Sequence, residues 1–248
     1  MSAWRDEYER SMAETYRKVA KDVVDDLRLV LAEPPIDTQP VSLDAYPHLD
    51  RRWYEETTRT LESLGFRHLR DVDAAPLAGK GMRPCIRVML AADGRTTAGL
   101  YQLVPRAPNI LARVWLSLTG KWPGKPCIIE LLSYFPGGAY STSSQGELNH
   151  FQLAPGSSRR LLPLGTAAAT LVEAHHAHVV PVVDRLVTFE DFEAVNQARE
   201  AQRLHSHRWR AEVGLLDTEL DHLLAPHGAT GEKLRPYILA ELAARRGA

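Results

Sequence analysis

The sequence predicts an α+β protein: an antiparallel β-meander flanked by long N-terminal and C-terminal helices. Three observations carry this. A helical period runs unbroken through the first thirty or so residues. An Asp-Gly turn between two strand-like runs, then the apolar run Cys127–Phe135 closed by Pro136-Gly137-Gly138, marks a β centre. Helical periodicity returns at Thr166 and persists to the end of the chain.

Residues 3–32 read as one amphipathic helix, with Trp4, Tyr8, Met12, Tyr16, Val19, Val23, Leu27 and Val30 recurring at steps of three and four. At 1.5 Å per residue this is a rod of about 45 Å. Pro34 and Pro35 stop it, because proline cannot continue the helical hydrogen-bond ladder. With Pro40 and Pro47 they make residues 33–48 an extended connector. A second helix is expected over Leu49–Leu64, capped by Asp50 and ended by Gly65. Strands are expected at Pro84–Ala91 and Thr96–Val104, joined through Asp93-Gly94, and at Cys127–Phe135. The Ser/Thr-rich arm Ala139–Gln145 reads as an exposed edge strand, and Leu148–Leu153 as a further strand. A helix over 166–186 is kinked by Pro181, and Thr188 with Asp191 resembles a capping box for the next. That next helix keeps its period to Pro226, with a break expected near Gly214, and a last helix covers Leu234–Arg246. The expected segments are 1–48 (helix and connector), 49–160 (sheet region) and 161–248 (helices), forming one composite domain with helices on one sheet face.

A chain of 248 residues, 44% hydrophobic and 25% charged, can bury a core without disulfide staples. No apolar run approaches the ~18 residues of a membrane span. Met1–Glu7 is charged, unlike a secretory signal. Cys85 and Cys127 sit in apolar runs, as small core residues of a reduced compartment do, so a cytoplasmic location is predicted. Phosphate-loop, dinucleotide, nucleophile-elbow, C-x-x-C and H-E-x-x-H signatures are all missing from the sequence.

Several groups of residues remain to be weighed as candidates. Glu173-x-x-His176 and Glu219-x-x-His222 each put a carboxylate and an imidazole on one helix face. With Glu193 or Glu200, and Glu55 or Glu56, their order resembles the ligand set of di-iron carboxylate bundles, which would take iron, manganese or zinc. Against it, Pro181 follows the first pair closely and a whole β region separates the proposed ligand helices. Glu130 stands alone in an apolar strand; it is either paired with an arginine such as Arg87 or serves as an acid/base group in a pocket. Residues 76–126 carry eight basic residues against Asp93 alone, so Arg83, Arg95, Arg106, Lys121 and Lys125 are candidates for binding an anionic ligand or nucleic acid. The balanced overall charge argues against nucleic acid, also for the basic run Arg203–Arg210. Ser141 to Ser144 near His150 lack an orienting acid, so nucleophilic catalysis is set aside, and His175 is read as a hydrogen-bonded core residue.

The leading expectation is a non-catalytic interaction protein, without cofactor, that binds a protein partner or itself through its long helices. A metal-dependent enzyme and an anion binder are the alternatives. The Val19–Val30 half of the first helix is expected to pack on the chain's own core, leaving Trp4, Tyr8 and Met12 for another chain.

Overall fold

The computed structural model describes residues 2–31, 38–74, 85–103, 125–144 and 151–246. The chain forms two compact units, residues 35–149 with 153–205 and residues 1–34 with 150–152 and 206–248.

The larger unit is built on a sheet of seven strands in sequential order: β1 (Thr38–Pro40), β2 (Phe66–Ala74), β3 (Cys85–Ala91), β4 (Thr97–Gln102), β5 (Cys127–Phe135), β6 (Gly138–Ser143) and β7 (Ser158–Leu161). β1 to β6 pair antiparallel, but β7 pairs parallel to β6, with Tyr140 opposite Ser158 and Ser143 opposite Leu161. The sheet is therefore mixed, and the expected antiparallel meander is corrected. β6 is no exposed edge either: Ser141, Thr142, Ser143 and Ser144 are all buried. The strand expected at Leu148–Leu153 is replaced by β7; residues 145–150 lie outside the described residues, and 151–154 have no regular structure.

The turns form where the residue types demand them. Gly94 takes φ +70° between β3 and β4, and its carbonyl accepts a hydrogen bond from the Phe189 amide at 2.8 Å. Pro136-Gly137 closes β5 onto β6. Before β2, helix α2 (Arg51–Ser63) starts where the Asp50 carboxylate accepts the Trp53 amide at 3.1 Å.

Helices cover both faces of the sheet, not one. On the first face, Tyr54 and Leu61 of α2 and Leu171 and Val172 of α3 (Ala168–Val179) pack on Cys85, Met89, Leu100, Ile129 and Leu131. Each such large side chain contributes about 1.5–3 kcal/mol relative to exposure. The second face carries Leu90, Leu132, Tyr134 and Ala139, covered by Phe189 and by Val195 of α4 (Phe192–Val213). Asp191 alone caps α4, its Oδ1 accepting the Ala194 amide at 2.8 Å, in place of the expected Thr188–Asp191 box. α4 ends at Val213, just before Gly214, where the sequence expects a break.

The smaller unit packs α1 (Ser2–Leu31) against α5 (Asp217–Leu224) and α6 (Gly228–Arg246). The first thirty-three residues contain no Gly or Pro, so nothing interrupts α1. Its core positions are Ala20 and Val24, flanked by Tyr16 and Val23, against Leu220, Leu224, Leu234 and Ile238, and Leu27 is buried as well. Val19 is exposed, and the Val30 side chain lies outside the description. Tyr16 stacks on Tyr237 at 5.6 Å and Asp25 pairs with Arg245, so α1 and α6 run parallel. No described helix is long and apolar enough to cross a membrane.

Candidate functional site

The chemistry of the larger unit divides between the two sheet faces. Strand alternation decides which residue falls where. Arg87 shares a cross-strand row with Leu100 and Ile129, whereas Glu130 shares the next row with Val88, Gly99 and Ser143. Neighbouring rows project to opposite faces, so the Glu130–Arg87 pair cannot form. Arg87 instead forks onto Asp71.

Glu130 opens into a cavity of about 150 Å³ between the second sheet face and α4. Tyr101, Tyr134, Asn196 and Arg199 also line it, with apolar walls from Val88, Leu132 and Phe192. Gly99 makes the room: it sits directly across from Glu130, and a Cβ built there would meet nothing closer than 3.8 Å. Burial raises the Glu130 carboxyl above the usual carboxylate range, opposed by the charge of Arg159. No hydrogen bond reaches this carboxylate from the described residues. Its cross-strand neighbour Ser143 is buried at 1% exposure, with its hydroxyl unpartnered among the described residues. Burial also raises the Tyr134 phenol, helped by Glu130, and lowers the Arg199 guanidinium.

The first face holds a continuous chain of hydroxyls and imidazoles. Thr96 meets Ser133 at 3.0 Å, Ser133 meets His175 Nε2 at 2.9 Å, and His175 Nδ1 meets Thr142 at 3.0 Å. Thr142 continues to His178 Nδ1 at 3.3 Å, and His178 Nε2 to Ser158 at 2.8 Å. The chain thus ties the residue just before β4 to β5, β6, β7 and α3. Burial, with the neighbouring His178 and His176, drives His175 down to about 3, so its ring is neutral at physiological pH. A neutral imidazole donates from one nitrogen and accepts at the other, and the hydroxyls turn to match. Ser133 and Thr142 are fully buried, so neither hydroxyl can meet a substrate as a nucleophile. The arrangement braces the sheet. His175 is the hydrogen-bonded core histidine that its apolar neighbours suggested.

Glu173 and His176 are exposed on α3. In the smaller unit, Glu219 is buried: its Oε2 accepts from Arg210 and from the Leu216 amide, both at 2.9 Å, and its Oε1 accepts the Gln152 amide at 2.7 Å. These donors occupy the lone pairs a metal would need. Among the described residues, no group of three or more His, Cys, Asp or Glu side chains is placed to hold a metal ion. Of the basic candidates, Arg95 and Lys125 are exposed, the Lys125 ammonium donating to the His48 carbonyl at 2.9 Å. Arg83, Arg106 and Lys121 lie outside the described residues, as does His150.

At the N-terminus Trp4 is 73% and Tyr8 55% exposed, their rings stacked 5.7 Å apart, and Met12 is half-buried. A stripe built on steps of four drifts, because each step turns about 400°, a net 40°. Trp4 and Tyr8 therefore lie roughly 155° and 115° around α1 from the face that Tyr16, Ala20, Val24 and Leu27 bury. No protein-family model, curated protein or solved structure matches this chain.

Proposed function

We propose that this chain is a non-catalytic interaction protein that associates with a second copy of itself through the exposed face of α1. The exposed, stacked Trp4–Tyr8 pair, turned away from the face that packs in the chain's own core, carries the reading. Aromatic side chains with both rings in water are characteristic anchors of interfaces. Charge supplies the orientation. Residues 5–14 carry Asp6, Glu7, Glu9 and Glu14 against Arg5 and Arg10, and residues 15–21 carry Arg17, Lys18 and Lys21 with no acid, so an antiparallel pair of α1 helices sets a net-acidic stretch against a basic one on both sides of a two-fold axis. A contact carried by so few anchors is small and dissociable. The free thiols of Cys85 and Cys127 support a reducing, cytoplasmic setting for this association.

Sedimentation velocity over a concentration series tests the reading. The full chain is expected to pass from monomer to dimer at about micromolar concentration, and the Trp4→Ala/Tyr8→Ala double variant to stay monomeric with an unchanged circular dichroism spectrum. A full chain that sediments as a monomer throughout, or a double variant that dimerises as before, defeats it.

A further inference from the structure

The sheet has two edges, β1 and β7, and only one of them is blunted. On β1 the Val41 amide donates to the Asp71 carbonyl at 3.0 Å, which sets the phase of the strand and turns the backbone of residue 40 away from β2. That outward position holds Pro40, which has no N–H to offer a further strand. On β7 the Leu162 amide donates to the Ser143 carbonyl at 2.9 Å, so residues 158, 160 and 162 turn towards β6 and residues 159 and 161 turn away. The N–H and C=O groups of Arg159 and Leu161 therefore line the free edge of the sheet, and no hydrogen bond reaches them from the described residues. No proline interrupts this edge, and the Ser158 hydroxyl fixes it to His178 at 2.8 Å, so the strand is already formed for a partner.

Charge selects what can pair there. Arg159 shares a row with Ser141 and Leu132 on the second face, and Arg160 shares the next row with Thr142 and Leu131 on the first. Arg160 rests its Nη1 on the Ala174 carbonyl at 3.3 Å, and neither arginine forms an ion pair among the described residues. In the register that uses every free group of both edges, a second copy running antiparallel would set Arg160 directly opposite Arg160, like charge against like. We propose that β7 receives an extended acidic segment of a partner protein as a further strand, with carboxylates on adjacent residues meeting Arg159 on one sheet face and Arg160 on the other. Adjacent residues of a strand point to opposite faces, so one acidic pair serves both arginines. Main-chain bonds supply the affinity of such a contact, and the side chains choose the partner. The arginines that repel a second copy or a basic strand admit the acidic one. So short an edge makes the contact weak and reversible.

Fluorescence anisotropy with the full chain tests this. The probe is a labelled peptide of about ten residues, valine and threonine in alternation around a central pair of glutamates. It is expected to bind with a Kd of about 10–100 μM, about tenfold or more tighter than a version with two glutamines, and a version with two lysines is expected not to bind. The Arg159→Gln/Arg160→Gln double variant is expected to weaken the acidic peptide about tenfold. Leu161→Pro removes an outward N–H while residues 160 and 162 keep their bonds to β6, and is expected to weaken it similarly. N-methylating the peptide backbone keeps both glutamates but removes the donors of a strand, and is expected to abolish binding. Should Leu161→Pro unfold the chain in urea denaturation, the N-methylated peptide decides. No binding of the acidic peptide, equal binding of the glutamine version, affinity that survives the arginine double variant, or binding that survives N-methylation each overturns the proposal. A dimer lost in Leu161→Pro but kept in Trp4→Ala/Tyr8→Ala also overturns it, by placing a second copy on β7. The α1 double variant is expected to bind the acidic peptide as the parent does, so this edge and the association surface fail or stand separately.

Discussion

Arg87 and Asp71 stand directly opposite each other on β3 and β2 and form a two-pronged pair, Nε to Oδ1 at 2.8 Å and Nη2 to Oδ2 at 2.7 Å. Thr58 of α2 accepts a further bond from Arg87, and His68 Nε2 lies 3.0 Å from the same carboxylate. Burial alone would raise Asp71, yet the bonds from Arg87 and His68 outweigh it and hold the carboxyl at about 2.

Breaking this pair from one side leaves a buried charge, so Arg87→Met is expected to cost about 3–5 kcal/mol in urea denaturation. The double variant Arg87→Met/Asp71→Asn should recover much of that. The pH dependence follows from the depressed carboxyl: the stabilisation is fully present above about pH 4 and is lost as pH falls towards 2. Asp71→Asn should flatten stability over that window; a variant as acid-sensitive as the parent would place the effect elsewhere.

His175 works in a different window. Its folded value of about 3 lies below the ordinary imidazole value, so the unfolded chain binds a proton first as pH falls. Stability should decline from about pH 6.5 towards pH 3, and the half-buried His178, lowered chiefly by burial, shifts in the same direction. His175→Gln, which keeps a donor and an acceptor, should weaken that decline. His175→Ala should cost about 2–4 kcal/mol at pH 8, because Ser133 and Thr142 each lose a bond and a cavity opens. Urea midpoints measured at pH 4, 6 and 8 distinguish these outcomes.

What the sequence made legible tracks how local the determining physics is. The α2 cap at Asp50, the Asp-Gly hairpin, the Pro-Gly turn and the break near Gly214 all depend on a few neighbouring residues, and all were readable. β2 was not. A bulge at Leu69 shifts the register between His68 and Arg70, so its apolar residues Phe66, Leu69 and Val72 recur every three positions and hide the alternation of a strand. The same bulge puts His68 and Asp71, three apart, on one face. β6 looked like an edge because its hydroxyls look solvated, but His175, His178 and the Ile129 amide bond to its end from distant parts of the chain. Glu130 stood out in sequence as a lone carboxylate; its cavity did not, since that depends on Gly99 directly across from it on β4, and on α4. The hydroxyl–imidazole chain left only one trace, the two histidines at 175 and 178.

The two Glu-x-x-His pairs differ sharply in what their glutamates hold. Glu219 is 1% exposed and joins Arg210, the Leu216 amide and the Gln152 amide. Arg210 also lies over the Trp209 ring at 4.6 Å. Glu219→Ala is expected to destabilise the smaller unit by about 3–5 kcal/mol. Glu173→Ala, on the exposed face of α3, should stay within about 0.5 kcal/mol. Thermal unfolding with and without added zinc or manganese measures both costs. A metal-dependent stabilisation of the parent chain that Glu173→Ala removes would support a metal at the first Glu-x-x-His pair.

The parallel placement of β7 leads to the last prediction. After β6 the chain returns to run alongside it in the same direction, and on the way Gly156 passes the β5–β6 turn at backbone contact. A Cβ at Gly138 would stand 2.2 Å from the Gly156 carbonyl oxygen and 2.7 Å from the Phe135 ring, and a Cβ at Gly156 would stand 2.4 Å from the Gly137 oxygen. The Gly156 and Gly137 atoms are backbone, so turning the Phe135 ring away would not relieve the contact. Gly138→Ala must therefore separate the turn from the returning segment, at about 1–3 kcal/mol or more by the usual cost of overpacking. The displacement should be felt along β7, where Ser158 anchors His178. Gly165 provides the control: its φ of +82° is unfavourable for alanine, but nothing lies within 4 Å of a Cβ there. Gly165→Ala should cost only the left-handed backbone term of about 1–2 kcal/mol and leave β7 in place. Hydrogen exchange at the amides of residues 158–161 reads the difference directly. Faster exchange in Gly138→Ala than in Gly165→Ala, at matched global stability, is the expected result; equal protection would mean that β7 holds its parallel register without the glycine contact.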